Sequence, residues 1–177
     1  MSMRGVARRW TLAFAVSALL CGCATQVHRV ALDPARLVAQ PQAKLQCPYR
    51  LGEVIDARPS TGRAGGLGKH LFLVEDAAAL VRGKLEGIGV SAAAPAGDQV
   101  DVRLVHLYLT QNTITKVPVL VLGVTVAGEP AFLLRSQKAS MNWNGTEEEA
   151  YASFSRMFDD AMAQLVGKLN ARCAVAG

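Results

Sequence analysis

The sequence predicts an α+β fold in which a small, mostly antiparallel sheet carries two helices packed on one face. Residues 117–126 are almost wholly apolar and β-branched, which is typical of a buried strand. Apolar residues recur at three- and four-residue steps over residues 150–169, which predicts a long amphipathic helix. The element order of strand, helix, three strands and helix then favours one layer of helices on one sheet.

The first half of the domain is predicted to contain a strand, a loop and a helix. Residues 44–55 are predicted as a strand, and residues 58–69 as a glycine-rich loop. Helical spacing of apolar residues predicts a helix over residues 71–86, with Gly87 as its stop. Upstream, residues 30–33 alternate between apolar and other side chains, which indicates an edge strand.

The second half is predicted to contain three strands and the long helix. Besides residues 117–126, the strands cover residues 100–110 and 131–143. A turn is predicted at Asn144-Gly145. Thr146 and Glu149 then have the spacing of a capping box, in which each side chain bonds the other residue's backbone N–H.

The N-terminal segment has the charge pattern of an export signal. Three arginines precede an apolar stretch at residues 10–20, and small residues follow. Eleven helical residues span about 16 Å against roughly 30 Å of hydrocarbon, so this stretch is too short to stay in a membrane as a helix. The sequence Leu20-Cys21-Gly22-Cys23 resembles the lipobox of bacterial lipoproteins. An ordinary secretory cut after Ala24 is the alternative.

The lipobox resemblance implies cleavage between Gly22 and Cys23 and acylation of Cys23 by palmitate-type chains. Ala24 follows the cysteine, and no aspartate is present there to retain the protein in the inner membrane. The implied location is therefore the outer membrane, with the protein facing the periplasm. The expected organisation is a signal peptide over residues 1–22, a tether over residues 23–43 and a single α+β domain over residues 44–177.

The charge and composition exclude two classes of protein. Half of the residues are hydrophobic and 19% are charged, which argues against disorder. The formal charge is +5, but three of the nineteen basic residues lie in the signal peptide. Sixteen basic and fourteen acidic residues then leave +2, without the basic cluster that nucleic-acid binding requires. We expect no nucleic-acid partner.

Two cysteines remain after Cys21 leaves with the signal and Cys23 is acylated. In an oxidising periplasm, Cys47 and Cys173 are predicted to form a disulfide, with two separate thiols as the alternative. Two thiols without a Cys-x-x-Cys motif and three scattered histidines do not make a zinc ligand set, so no metal is predicted.

No motif in the chain indicates catalysis or a cofactor. The glycine-rich loop lacks both the first glycine and the Ser/Thr of a phosphate-binding loop, and its composition favours a mobile loop. The alternative is a partner-binding loop, for which its basic residues Arg63 and Lys69 are the candidates. Asp56 and Arg58 are expected to form a structural ion pair, and His106 is expected at the edge of the core. The serines lack a nucleophile elbow. No catalytic residue is predicted.

Three short segments resemble the YajG-like group of small bacterial outer-membrane lipoproteins. They are Val30-Ala31-Leu32-Asp33-Pro34, Val54-Ile55-Asp56-Ala57-Arg58, and Trp143 followed by an amphipathic helix. The resemblance extends to auxiliary lipoproteins of ABC-type lipid transporters. It implies an outer-membrane α+β lipoprotein without known catalysis.

Three functions are in competition. The leading hypothesis is a non-enzymatic, lipid-anchored module that contacts an envelope protein. The alternative is a lipid-binding accessory of an ABC-type envelope transport system, favoured by the apolar run at residues 117–126 and by the Phe- and Met-rich last helix. An enzyme is the least favoured, since no reactive constellation is visible.

Overall fold

The structure is a computed structural model that describes residues 26–37, 44–94, 96–111, 115–136, 140–141 and 146–176. The strands are β1 (His28–Ala31), β2 (Tyr49–Asp56), β3 (Gly62–Leu67), β4 (His70–Val74), β5 (Val90–Ser91), β6 (Asp98–Gln111), β7 (Thr115–Val126), β8 (Phe132–Arg135) and β9 (Ser140–Met141). The helices are α1 (Ala77–Gly87) and α2 (Glu147–Ala176), with a short 3-10 turn at Pro34–Arg36.

The strands form one mixed sheet around β6. The antiparallel strand β7 runs along one edge of β6, and β2 and β3 follow one another along the other edge, both parallel to β6. The sheet continues outward through β4 to β1 on one side, and through β8 and β9 on the other. Antiparallel pairing predominates, which confirms the predicted fold class.

A bulge in β6 keeps its apolar side chains on the helix-facing side. The register with β7 shifts between Leu104 and His106. A one-residue shift moves every later side chain to the opposite face, so the alternation changes phase at this point. The buried residues accordingly change from even to odd positions: Val100, Val102, Leu104, Leu107 and Leu109.

Both helices pack on the same face of the sheet. Helix α1 contacts β2, helix α2 contacts β7 and β8, and the two helices touch each other. Phe154 of α2 meets Phe72 of β4 edge-on, with ring centroids 5.5 Å apart. The capping box is confirmed, because the Glu149 N–H donates to the Thr146 hydroxyl at 3.2 Å and the Thr146 N–H donates to the Glu149 carboxylate at 3.4 Å.

The predicted glycine-rich loop is instead largely strand β3, so this prediction was wrong. The backbone of β3 comes so close to β6 that a Cβ at Gly65 would lie 2.0 Å from the Leu109 carbonyl oxygen. Gly65 also has a φ of +91°, which a side chain disfavours. Gly65 lets β3 and β6 pack closely. A glycine with this role looks the same in a sequence as a glycine in a loop.

The first helix begins later than predicted. Residues 71–74 belong to β4, which forms an antiparallel hairpin with β3. The helix begins after Asp76, whose carboxylate accepts the Ala79 N–H at 2.7 Å as an N-cap. A short apolar run fits a buried strand as well as a helix, and pairing with β3 decided the outcome.

Residues 26–37, which the sequence assigned to a tether, belong to the folded domain. The edge strand predicted at residues 30–33 is present but begins two residues earlier, as β1, and it pairs in parallel with β4. Leu32 and Leu37 are buried in the core. The Tyr151 hydroxyl donates to the Ala31 carbonyl at 3.0 Å and accepts the Asp33 N–H at 2.9 Å. The domain therefore begins well before residue 44.

Candidate functional site

Cys47 and Cys173 are joined as a disulfide. Their Cα atoms are 6.1 Å apart, within the usual range for such a bond. The bridge links the segment before β2 to the end of α2. Around it, the Tyr49 hydroxyl donates to the Leu169 carbonyl at 2.7 Å, and the Asn170 side chain bonds the backbone of Gln46. This end of the domain is therefore fixed by covalent and polar contacts together.

Gly22 and Cys23, the predicted cleavage and lipidation residues, lie outside the described residues. The described chain starts at Gln26, and β1 starts at His28. Only four residues separate Cys23 from His28, the first residue of β1, and the five Cα–Cα steps between them reach at most about 18 Å. Acylation at Cys23 would thus hold the start of β1 near the membrane surface. Within the described residues, no helix has the length and hydrophobicity needed to span a bilayer.

Arg63 and Lys69, the two loop residues that were candidates for contact with a partner, lie apart in the structure. Arg63 is an exposed residue of β3, whose carbonyl accepts a 2.8 Å bond from Arg58. Lys69 is exposed in the turn between β3 and β4. Arg63 pairs with Leu73 and Leu67 pairs with His70, so Arg63 and Lys69 lie toward opposite ends of this hairpin.

Lys69 lies beside the start of β1. Its carbonyl accepts the His28 N–H at 2.8 Å, and the His28 and His70 rings are 5.6 Å apart. Arg29 is exposed on the same strand, and Val27 is 60% exposed just before it. This corner, comprising Val27, His28, Arg29 and Lys69, is called the β1 corner below.

Asp56 and Arg58 form the expected ion pair. Two guanidinium nitrogens of Arg58 donate to the two carboxylate oxygens of Asp56 at 2.8 and 2.7 Å. The side chain of Arg58 is 3% exposed, so the pair is largely withdrawn from water. The hydrogen bonds from Arg58 lower the pKa of Asp56 below its ordinary value, and partial burial opposes them. The pair fixes the turn between β2 and β3.

Replacing Asp56 with alanine is expected to lower the free energy of unfolding by about 3 kcal/mol at neutral pH, because Arg58 would stay buried without its carboxylate. Since the pKa of Asp56 is lowered by folding, its contribution is present above the unfolded pKa of about 4 and is lost as pH falls through the lower folded value. Urea unfolding between pH 7 and pH 2 measures both effects.

Glu53, an exposed carboxylate in the same strand, provides the matched control. Glu53→Ala should change the unfolding free energy by less than about 0.5 kcal/mol. An Asp56→Ala protein that retains the stability and acid sensitivity of the unmodified protein would contradict a structural role for the pair.

The remaining candidate residues do not converge on a reactive site. His106 is exposed on the face of the sheet opposite the helices. His28 and His70 are adjacent, but the described residues contain no group of three His, Cys, Asp or Glu side chains suited to hold a metal. Helix α2 begins with Glu147, Glu148 and Glu149, whose negative charges are favoured by the positive end of the helix dipole.

An open groove of about 750 Å³ lies beside the first turns of α2, a feature the sequence analysis did not predict. Arg36, Tyr151, Arg156 and Asp159 contribute to its lining. The guanidinium of Arg36 stacks on the Tyr151 ring at 3.8 Å and pairs with Glu147. The hydrogen bond that Arg36 donates to the Glu147 carboxylate raises the pKa of Arg36. Arg36 comes from the segment assigned to the tether, so spacing along the sequence gave no signal for this site.

Comparison with known proteins shows a shared fold. None of the known family models matches the chain, and no curated protein matches it. The crystal structure of protein XCC0632 from Xanthomonas campestris, of the family-model DUF330, is similar with a TM-score of 0.51 at 12% identity, covering 85% of this chain and 96% of that one. The crystal structure of an uncharacterized protein has a TM-score of 0.43 at 11% identity, covering 75% and 96%. The first likeness shows that this α+β fold occurs in a solved bacterial protein.

Proposed function

We propose that this protein is a lipid-anchored, non-enzymatic interaction module of the bacterial envelope, attached to the outer membrane through acylated Cys23 and facing the periplasm. The observation that carries the anchor is the lipobox-like segment Leu20-Cys21-Gly22-Cys23, and the position of β1 fixes how far the anchored domain can lie from the membrane. A tether of twenty residues after Cys23 would reach at most about 70 Å, whereas His28 at the start of β1 is only five positions after Cys23 and at most about 18 Å from it. Such a protein would work at the membrane surface, and its partner would have to come to it.

The groove beside α2 is the surface we propose for contact with that envelope protein. Its lining combines an aromatic ring with side chains of both signs, including the exposed Arg156. Aromatic and arginine side chains are enriched where protein interfaces are strongest. The groove also adjoins Arg36, which lies only thirteen positions after Cys23 in the sequence.

The lipid-binding alternative receives less support from the structure. It relied on a lipid groove between the last helix and the sheet. The Phe and Met side chains of α2 are all at most 2% exposed and pack in the core: Phe154, Met157, Phe158 and Met162. Native mass spectrometry of the detergent-extracted protein tests the alternative, since a bound phospholipid would favour it.

The anchor is tested by intact mass and by fractionation of the full chain expressed in a bacterium. We expect the mature protein to start at Cys23, to carry the mass of attached acyl chains, and to sediment with outer membranes. Cys23→Ser should abolish fatty-acid incorporation. Label that persists in this variant, or a soluble mature protein starting at Thr25 or beyond, would refute the anchor.

The contact surface is tested separately by crosslinking in intact envelopes. Arg156→Glu should reduce the yield of the specific crosslinked complex, whereas Arg103→Glu, an exposed change on the other sheet face, should leave it unchanged. Equal yields from both variants would place the interface elsewhere.

A further inference from the structure

The geometry points to the β1 corner as a docking surface for anionic phospholipid headgroups of the membrane that holds Cys23. This inference rests on the proposed anchor, because the anchor is what brings the corner to a membrane. Four residues lie between Cys23 and His28, and these five Cα–Cα steps limit the distance to at most about 18 Å, so the corner lies within reach of the headgroups.

The charge of the corner suits an anionic surface. Residues 26–32 and 57–74, which include β1 and the β3–β4 hairpin, contain no aspartate or glutamate. Arg29 and Lys69 are exposed, and within the described residues neither has a carboxylate partner. Basic residues beside a lipid anchor add electrostatic attraction to anionic lipids.

Two further features fit a headgroup layer. Val27 is 60% exposed beside these cations, and an exposed apolar side chain gains free energy by entering the interface. Acidic residues lie at the other end of this sheet section, where Glu75 and Asp76 follow β4. Positive charge therefore lies at the β1 corner, and negative charge lies at the opposite end of the same strands.

Lys44 provides an internal reference for measuring the exposure of Lys69, because the two residues lie at opposite ends of the sheet. Strand β2 begins opposite Asp98 and β3 passes Leu109, so the disulfide end and the hairpin turn lie at opposite ends of β6. Eleven strand residues extend about 36 Å. Lys44, exposed next to the disulfide end, is therefore far from Lys69 and should not touch the same membrane.

The test is competitive lysine labelling of the full acylated protein in vesicles of zwitterionic phosphatidylcholine, with or without 30% phosphatidylglycerol (roughly the range in which surface charge attracts basic segments). A water-soluble acetylating reagent and peptide mass spectrometry report the labelling ratio of Lys69 to Lys44. We expect Lys69 to become protected only on the anionic vesicles. Protection should fall at about 1 M salt, where the screening length is about 3 Å.

Arg29→Gln should weaken docking about fivefold, the equivalent of about 1 kcal/mol, and so reduce Lys69 protection. Arg103→Gln is the matched control and should have no effect. Equal Lys69 labelling on both vesicles, or equal loss with both variants, would overturn the inference. Intact mass reports the anchor independently: acylated protein with an unprotected Lys69 keeps the anchor and rejects the docking surface. Unacylated protein whose Lys69 is still protected on anionic vesicles rejects the anchor and keeps the surface.

Discussion

Removal of the Cys47–Cys173 disulfide is expected to lower the free energy of unfolding by up to about 5 kcal/mol. The bridge closes a loop with a sequence separation of 126 residues. In the chain-entropy model, a loop of this size restricts the unfolded chain by about 5 kcal/mol at 25 °C, and strain or residual structure reduces the measured value. Urea unfolding of Cys47→Ser/Cys173→Ser against the oxidised protein measures the difference.

The reductant provides the control for this prediction. Dithiothreitol should bring the oxidised protein to nearly the stability of the double serine variant, and it should not affect that variant. Two free thiols in protein taken from an oxidising compartment would contradict the disulfide. So would equal stability of the oxidised and double serine proteins.

Phe154→Ala is expected to lower the free energy of unfolding by about 3–5 kcal/mol, because it removes a fully buried ring and leaves a cavity. Phe154 is 0% exposed and packs against Phe72 between α2 and the sheet. Thermal or urea unfolding measures the loss. The same variant also tests the lipid-binding alternative, since a residue lining a lipid groove would affect lipid retention more than stability.

Leu133→Ala is the matched large-to-small control. Leu133 lies on β8 and is 69% exposed, so its replacement should cost less than about 0.5 kcal/mol. A small effect of Phe154→Ala, together with loss of a copurified phospholipid, would reverse the order of the two proposed functions.

The elements that were predicted well carry strong local signals. Helix α2 has a capping box at Thr146 and a continuous apolar stripe, and both features act within a few residues of the sequence. Strands β6 and β7 are long enough for their apolar character to exclude other assignments. The Asp56–Arg58 pair was predictable because opposite charges two positions apart can reach each other, although Arg58 follows the end of β2 and does not lie on it.

The errors concentrate where contacts distant in the sequence decide the conformation. Gly65 belongs to a strand because it passes close to Leu109, forty-four positions later in the sequence. Residues 71–74 are a strand because β3 and β1 pair with them. The groove beside α2 needs Arg36 from one end of the domain and Tyr151 from the other. Contacts between residues so far apart in the sequence leave no periodic pattern in either segment, so a local analysis of the sequence cannot reveal them.

The sequence by itself determined the fold class, the long C-terminal helix and the cysteine pair available for a disulfide. It also contains the lipobox-like segment, whose processing stays a prediction. Only the tertiary structure decided that residues 26–37 join the domain, because β1 is stabilised by hydrogen bonds to β4 and by burial of Leu32 and Leu37. That contact reduces the linker between Cys23 and the domain from twenty residues to four. The reach of any anchor at Cys23 therefore depends on strand pairing, which a local sequence pattern does not specify.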